Sequence, residues 1–145
     1  MDEINGLAEL HQIIQTVFGW RNSQSFKFSG EKELNLNTRI GELEAVNTVE
    51  LLYEYGTKWT VKIMILSRQE TPAKRPVRCV AGSGAAPPEF VAGPVKFRRL
   101  ISALESGNDM ERLGARQELG TDFIPDEFNL DTCNRSLSAV SGSEN

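Results

Sequence analysis

An α+β fold, with an antiparallel sheet carrying an N-terminal helix and C-terminal helices packed on it, is predicted by three features of the chain. Apolar residues recur at helical spacing near the start, alternate at strand spacing in the middle, and return to helical spacing after a long loop rich in Gly, Ala and Pro. That order of helix, strands and helices differs from the βαβ alternation of a parallel sheet. At 145 residues the chain is one ordinary domain, read as residues 1–140 with a flexible tail at 141–145.

Leu7, Leu10, Ile14, Val17 and Phe18 form the first apolar stripe, and Gly19 is a natural C-terminal stop, giving a helix over about residues 6–18. SFKFSGEKELNL then alternates, with Phe26 and Phe28 on one face and a polar turn before Leu34 and Leu36, the pattern of a short hairpin. GELEAV is too short to classify. The stretch LYEYGTKWTVKIMIL reads as two strands around a turn. Pairing Tyr55 with Trp59 sets Tyr53 opposite Val61, Leu51 opposite Ile63 and Val49 opposite Ile65, so one face is wholly apolar. The other face pairs Glu54 with Thr60 and Leu52 with Lys62, with Glu54 also diagonal to Lys62. A slip of one residue would mix the faces, so burial fixes the register. The turn itself is unusual, because glycine stands first, at Gly56, and Lys58 occupies the last position, where glycine is preferred.

Beyond Gln69, TPAKRP is a basic linker, PVRCV a short strand, and AGSGAAPPEFVAGP a long loop. Pro94 suits the first turn of a helix whose buried stripe is Phe97, Leu100, Ile101 and Leu104. Asn108 starts a second helix, with Met110 and Leu113 inward and an end at Gly120. Asn129 or Asp131 caps a last helix through Leu137 and Val140.

The formal net charge of −4 hides a pattern. Residues 1–57 and 100–145 are acidic, whereas 58–99 carry nine basic side chains, Lys58, Lys62, Arg68, Lys74, Arg75, Arg78, Lys96, Arg98 and Arg99, against Glu70 and Glu89. Either the acidic ends fold against the middle and neutralise it, or the middle forms an anion-binding face for nucleic acid. Aliphatic runs of four or five residues are too short to span a membrane, and the acidic N-terminus lacks the pattern of a secretory signal, so a cytoplasmic protein is expected. In that compartment Cys79 and Cys133 read as two reduced thiols.

Reactive chemistry is sparse. His11 is the one histidine, and its place beside Leu10 and Ile14 favours partial burial with a hydrogen bond over catalysis. Metal sites and nucleophile triads therefore lose a central member, and neither a metal nor a cofactor is expected. Arg78 beside Cys79 would favour a thiolate, but a small buried thiol is the simpler reading. The GSG at 82–84 lacks a following helix start and the P-loop lysine. Asp122, Asp126 and Glu127 lack the spacing of a calcium loop and suit a solvated helix entry. Trp20, Trp59, Phe26 and Phe28 could stack on bases, but aromatic residues at strand spacing read first as core.

Four islands in order, ELHQIIQTVFGWRNS (9–23), LLYEYGTKWTVKI (51–63), PVRCVAGSGAAPPE with Gly93 (76–93) and LGTDFIPDEFNLDTCN (119–134), resemble the plasmid pRiA4b Orf-three-like family, also described as an insertion-element passenger protein, TnpR. His11, Trp20, Tyr53, Tyr55, Trp59, Cys79, Pro87, Pro88 and Glu89 stand at its motif positions. The resemblance implies a compact α+β domain and brings no established activity. Where many members have histidines after W-x-N-S, this chain has Gln24 and Phe26. Where members read Asp-x-Gly-Asp-x-Trp-x-His, it has Glu54, Gly56, Thr57, Trp59 and Val61. Flanking cysteines are replaced by Ala86 and Val91, and an aspartate by Phe90. Glu54 and Glu89 alone keep a carboxylate at these positions, so if other members are enzymes, the departures describe a scaffold that has lost the site. Family members also begin with a strand that this chain lacks room for, leaving a sheet edge or an apolar face open to a partner.

The expected function is accordingly a non-catalytic cytoplasmic binding or accessory protein associated with mobile elements, working through a protein partner or homodimer. Two other classes stand beside it. One is nucleic-acid association through residues 58–99, and the other a residual enzyme using Glu54, Glu89 and Cys79.

Overall fold

A computed structural model describes residues 6–30, 49–56, 58–66 and 77–142. The element order is helix α1 (Leu7–Phe18), strands β1 (Phe26–Ser29), β2 (Val49–Tyr55) and β3 (Trp59–Ile65), then helices α2 (Gly93–Ser106), α3 (Asp109–Leu119) and α4 (Leu130–Gly142). The strands form an antiparallel sheet in the order β1-β2-β3. This is the α+β arrangement read from the apolar periodicity.

Helix α1 ends where Gly19 requires it to. Gly19 adopts a left-handed φ of 71°, and its N–H reaches Thr16 O at 3.3 Å while the Trp20 N–H reaches Gln15 O at 2.8 Å. These two bonds satisfy the last carbonyls of the helix and turn the chain back toward the sheet. Leu7, Leu10 and Ile14 are buried against Phe28, Leu51, Tyr53 and Tyr55. Each such side chain contributes about 1.5–3 kcal/mol on full burial.

The β2–β3 register is the one the apolar pattern demands: Tyr55 opposite Trp59, Tyr53 opposite Val61, Leu51 opposite Ile63 and Val49 opposite Ile65. On the solvent face Glu54 stands opposite Thr60 and diagonal to Lys62, as read from the sequence. Lys62 pairs with Glu50 at 3.6 Å, and Glu54 pairs with Lys27 of β1 at 3.4 Å. Strand twist brings one diagonal neighbour closer than the other, so Lys62 leans toward Glu50. The turn resolves with Gly56 at φ 59° and Lys58 at φ 77°, so a lysine does occupy the left-handed position that glycine prefers. Gly93 is packed against it, since a Cβ there would lie 2.7 Å from the Cβ of Lys58.

Strand β1 hydrogen-bonds to β2, with Phe26 opposite Tyr55 and Phe28 opposite Tyr53. Leu34, Leu36 and GELEAV lie outside the described residues. Residues 77–80 do not form a strand. The Asn134 side chain of α4 accepts from the Cys79 N–H at 2.7 Å and donates to Cys79 O at 2.9 Å. It thereby takes the two bonds that a neighbouring strand would otherwise make.

A second cluster joins α2 and α3. Val91, Leu100, Ala115 and Leu119 are buried, with Phe97, Ile101, Leu104 and Phe123 packed around them. Asn108 caps α3 through a reciprocal capping box with Glu111, and Gly120 ends it. Met110 and Leu113 do not face inward; they are 83% and 60% exposed. They lie about 140° and 160° around the helix from Ala115, whose small side chain makes the close contact. Helix α4, capped by Asn129 Oδ1 on the Thr132 N–H at 2.8 Å, packs on α1 and buries Cys133 and Leu137. It continues through Gly142, into the segment expected to be tail. Trp59 connects the two clusters, with its indole N–H on Val91 O and its ring edge-on to Phe97 at 5.8 Å.

Candidate functional site

Helical spacing places His11 and Gln15 one turn apart on the buried face of α1, and strand alternation places Tyr53 and Tyr55 on the inner face of β2. The reversal at Gly19 carries Trp20 to Gln24 back over these four side chains. Asn22, at a left-handed φ of 58°, turns its side chain toward His11.

The result is a closed hydrogen-bond circuit. His11 Nε2 lies 3.0 Å from Asn22 Oδ1, and Nδ1 lies 2.7 Å from the Tyr53 hydroxyl. Because Asn22 presents an acceptor, Nε2 carries the proton, and Tyr53 donates to Nδ1. Gln15 Nε2 donates to the Tyr53 oxygen at 2.8 Å, while Gln15 Oε1 accepts from the Asn22 N–H at 2.6 Å. This bonding requires a neutral imidazole. Burial lowers the His11 pKa accordingly, opposed only in part by the hydrogen bond to Asn22. The ring stacks on Phe26 with centroids 3.6 Å apart.

A second circuit centres on Glu89. Its carboxylate accepts from the Tyr55 hydroxyl, from the Arg21 N–H at 2.7 Å, and from the N–H and hydroxyl of Ser23 at 2.9 and 2.8 Å. Burial pushes the Glu89 pKa up, but the bonds from Tyr55, Ser23 and Arg21 outweigh it and bring it down to about 2. Burial raises Tyr55, and its bond to the Glu89 anion raises it further. Burial also pushes Tyr53 up to about 12, against the opposing bond from Gln15. Both phenols therefore stay protonated as donors. Trp20 stacks on Tyr55 at 4.6 Å and donates to Pro87 O at 2.8 Å.

Among the described residues no buried polar side-chain atom lacks a hydrogen-bond partner. What the network does is position: it fixes loop 20–24 and loop 87–91 against α1 and the sheet. Of the motif positions, His11, Trp20, Tyr53, Tyr55 and Glu89 belong to it directly, Pro87 contributes a carbonyl, and Trp59 borders it through Val91. Gln15, Asn22 and Ser23 complete it without having been singled out in the sequence. The spacing of Gln15 from His11 is a usable signal, whereas the roles of Asn22 and Ser23 depend on the reversal at Gly19.

The three carboxylate and thiol candidates do not share a site. Glu54 lies on the solvent face with Lys27, Glu89 is within its own circuit, and Cys79 is held by Asn134. Among the basic residues, Lys62 and Lys96 are paired with Glu50 and Glu118, at 3.6 and 3.0 Å, and Arg98 Nε donates to Pro94 O. Lys58, Arg78 and Arg99 are exposed, and Arg68, Lys74 and Arg75 lie outside the described residues. Gly82 has a packing role, because a Cβ there would meet the Phe128 ring at 2.6 Å. An open cleft of about 380 Å³ lies between the end of α1, loop 84–86 and α4, bordered by Phe18, Phe123, Phe128, Asp122 and Glu127. Among the described residues no three His, Cys, Asp or Glu side chains gather as a metal site would require. No helix there is long and apolar enough to cross a membrane.

A family model described as plasmid pRiA4b ORF-3-like protein matches residues 2–132. The uncharacterized protein y4hQ of Sinorhizobium fredii (strain NBRC 101917 / NGR234) is 25% identical over 116 residues, covering 68% of this chain and 59% of that protein. The chain thus spans under two thirds of that relative's length. The crystal structure of MM3350, a protein of unknown function from Methanosarcina mazei Go1, superposes with a TM-score of 0.74 at 22% identity, covering 88% of this chain and 83% of that one. That likeness is one of fold.

Proposed function

The chain belongs to the plasmid pRiA4b ORF-3-like family, and from that premise we propose that it is a non-catalytic cytoplasmic binding protein that works by pairing its sheet with another protein surface, a second copy of itself included. The observation that carries this reading is strand β3. Among the described residues it hydrogen-bonds to a strand on one side only, the β2 side. Its inward residues Trp59, Val61, Ile63 and Ile65 are only half-buried, while Met64 and Leu66 beyond them are 52% and 73% exposed. A seven-residue apolar edge with a single charge, at Lys62, is the kind that accepts an added strand.

Sedimentation equilibrium across the micromolar range tests it, together with a screen for bound protein partners. Self-association, or capture of a defined partner, that is weakened at least tenfold by Met64→Lys supports the reading. A monomer with no partner, or an association indifferent to that charge, rejects it. The family's association with mobile genetic elements is carried over from the sequence resemblance. Nucleic-acid binding is less favoured, because Lys62 and Lys96 already have acidic partners. Residual catalysis is less favoured again, because Glu54, Glu89 and Cys79 have separate neighbours.

A further inference from the structure

Cys79 and Cys133 stand 54 positions apart and carry no motif spacing, yet the fold brings them together. Asn134 clamps the backbone of Cys79 by two hydrogen bonds, at 2.7 and 2.9 Å, and Cys133 is the neighbouring residue on α4. Cys79 is thereby near enough to the Cys133 thiol to act on it, and the Cys79 thiol itself donates to Ala81 O at 3.3 Å. Their environments differ: Cys133 is buried, and Cys79 is partly open to solvent. Burial pushes the Cys133 thiol up, with Cys79 beside it adding to the shift. One thiol is therefore reachable from outside, and the other is held protonated behind it.

We propose that Cys79 and Cys133 form an oxidisable dithiol pair, in which peroxide converts the open Cys79 and the buried Cys133 resolves it to an intramolecular disulfide joining loop 77–86 to α4. In the first step the Cys79 sulfur, as thiolate, attacks one peroxide oxygen. The O–O bond breaks, and with the proton that the thiol released the products are a sulfenic acid and one water. In the second, the Cys133 sulfur attacks the Cys79 sulfur. The S–S bond forms, the S–O bond breaks, and the Cys133 proton leaves with the hydroxide as a second water. Two thiols are oxidised and one peroxide is reduced. The bond would close a long loop and constrain the unfolded chain, so the oxidised protein should be the more thermally stable form. The pair is independent of the β3 surface and of any partner bound there.

The test treats the reduced full-length chain with hydrogen peroxide and follows intact mass, peptide linkage and thermal unfolding. The wild type should become about 2 Da lighter, yield a peptide pair linking Cys79 to Cys133, and unfold on the order of 5–10 °C higher. Thiol reductant should reverse all three. Cys79→Ser should abolish the mass loss. Cys133→Ser should leave a sulfenic acid at Cys79 that a dimedone probe captures. Oxygen addition without the mass loss in wild type, or a disulfide only between separate chains, overturns the proposal. So does an unchanged mass at peroxide levels that oxidise free glutathione. The wild-type mass and linkage decide the matter even if the Cys133 variant fails to fold.

Discussion

Glu89 shows what a carboxylate does when all its neighbours are donors. Four donors from Tyr55, Arg21 and Ser23 converge on its two oxygens, and two of them are backbone N–H groups that no side-chain substitution can remove. Glu89→Gln keeps the shape but turns one oxygen into a donor that faces other donors. The expected cost is about 1–3 kcal/mol, read as a lower denaturation midpoint at unchanged slope. Tyr55→Phe should lose less, since it removes one bond and leaves the anion three. An unchanged midpoint for Glu89→Gln would show that this circuit does not contribute to stability. At this scale the sequence was only partly legible. The islands singled out His11, Tyr53, Tyr55 and Glu89, but nothing local announced that Glu89 would be bonded to residues 66 and 68 positions earlier in the chain.

Among the elements, the best-read were those whose signals are local. Gly19 ended α1, Asn108 opened α3, and the β2–β3 register followed from an apolar face that tolerates no slip. The misreadings are also of one kind. Met110 and Leu113 were expected inside on hydrophobicity alone, but the stripe of α3 that meets α2 is set by tertiary packing, and Ala115 occupies it. PVRCV had strand composition, but its partner proved to be the side chain of Asn134. The capping box gives a direct test of what is local. Asn108→Ala should cost about 1 kcal/mol, whereas Met110→Lys should stay within about 0.5 kcal/mol. Chemical denaturation of both variants checks the pair, and a large loss from Met110→Lys would contradict its exposed position.

For the whole molecule, the shifted groups define how stability depends on pH. His11 has its pKa lowered from the ordinary 6.5, so the unfolded chain takes up its proton first, and stability present above about pH 6.5 is lost as the pH falls. Glu89, lowered from 4.5 to about 2, adds a second loss between those values. Tyr53, raised from 10 to about 12, works in the opposite direction, its contribution full below pH 10 and lost between 10 and 12. Cys133, raised from the ordinary 9 by burial, acts in the same direction as Tyr53, so the expected profile is a plateau between about pH 6.5 and 9 with a fall on either side, measured by denaturation at a series of pH values. Glu89→Gln should flatten the fall between pH 4.5 and 2; a fall as steep as in the wild type would reassign that limb to other carboxylates.

The contact between α1 and α4 has a consequence for how the chain is made. The first helix leaves the ribosome more than a hundred residues before the helix that covers part of it. At cellular translation rates that delay is on the order of ten seconds. During it, the nascent α1 and the hairpin can meet, but one flank of the bundle waits uncovered, and a chaperone that shields greasy surfaces has its opportunity there.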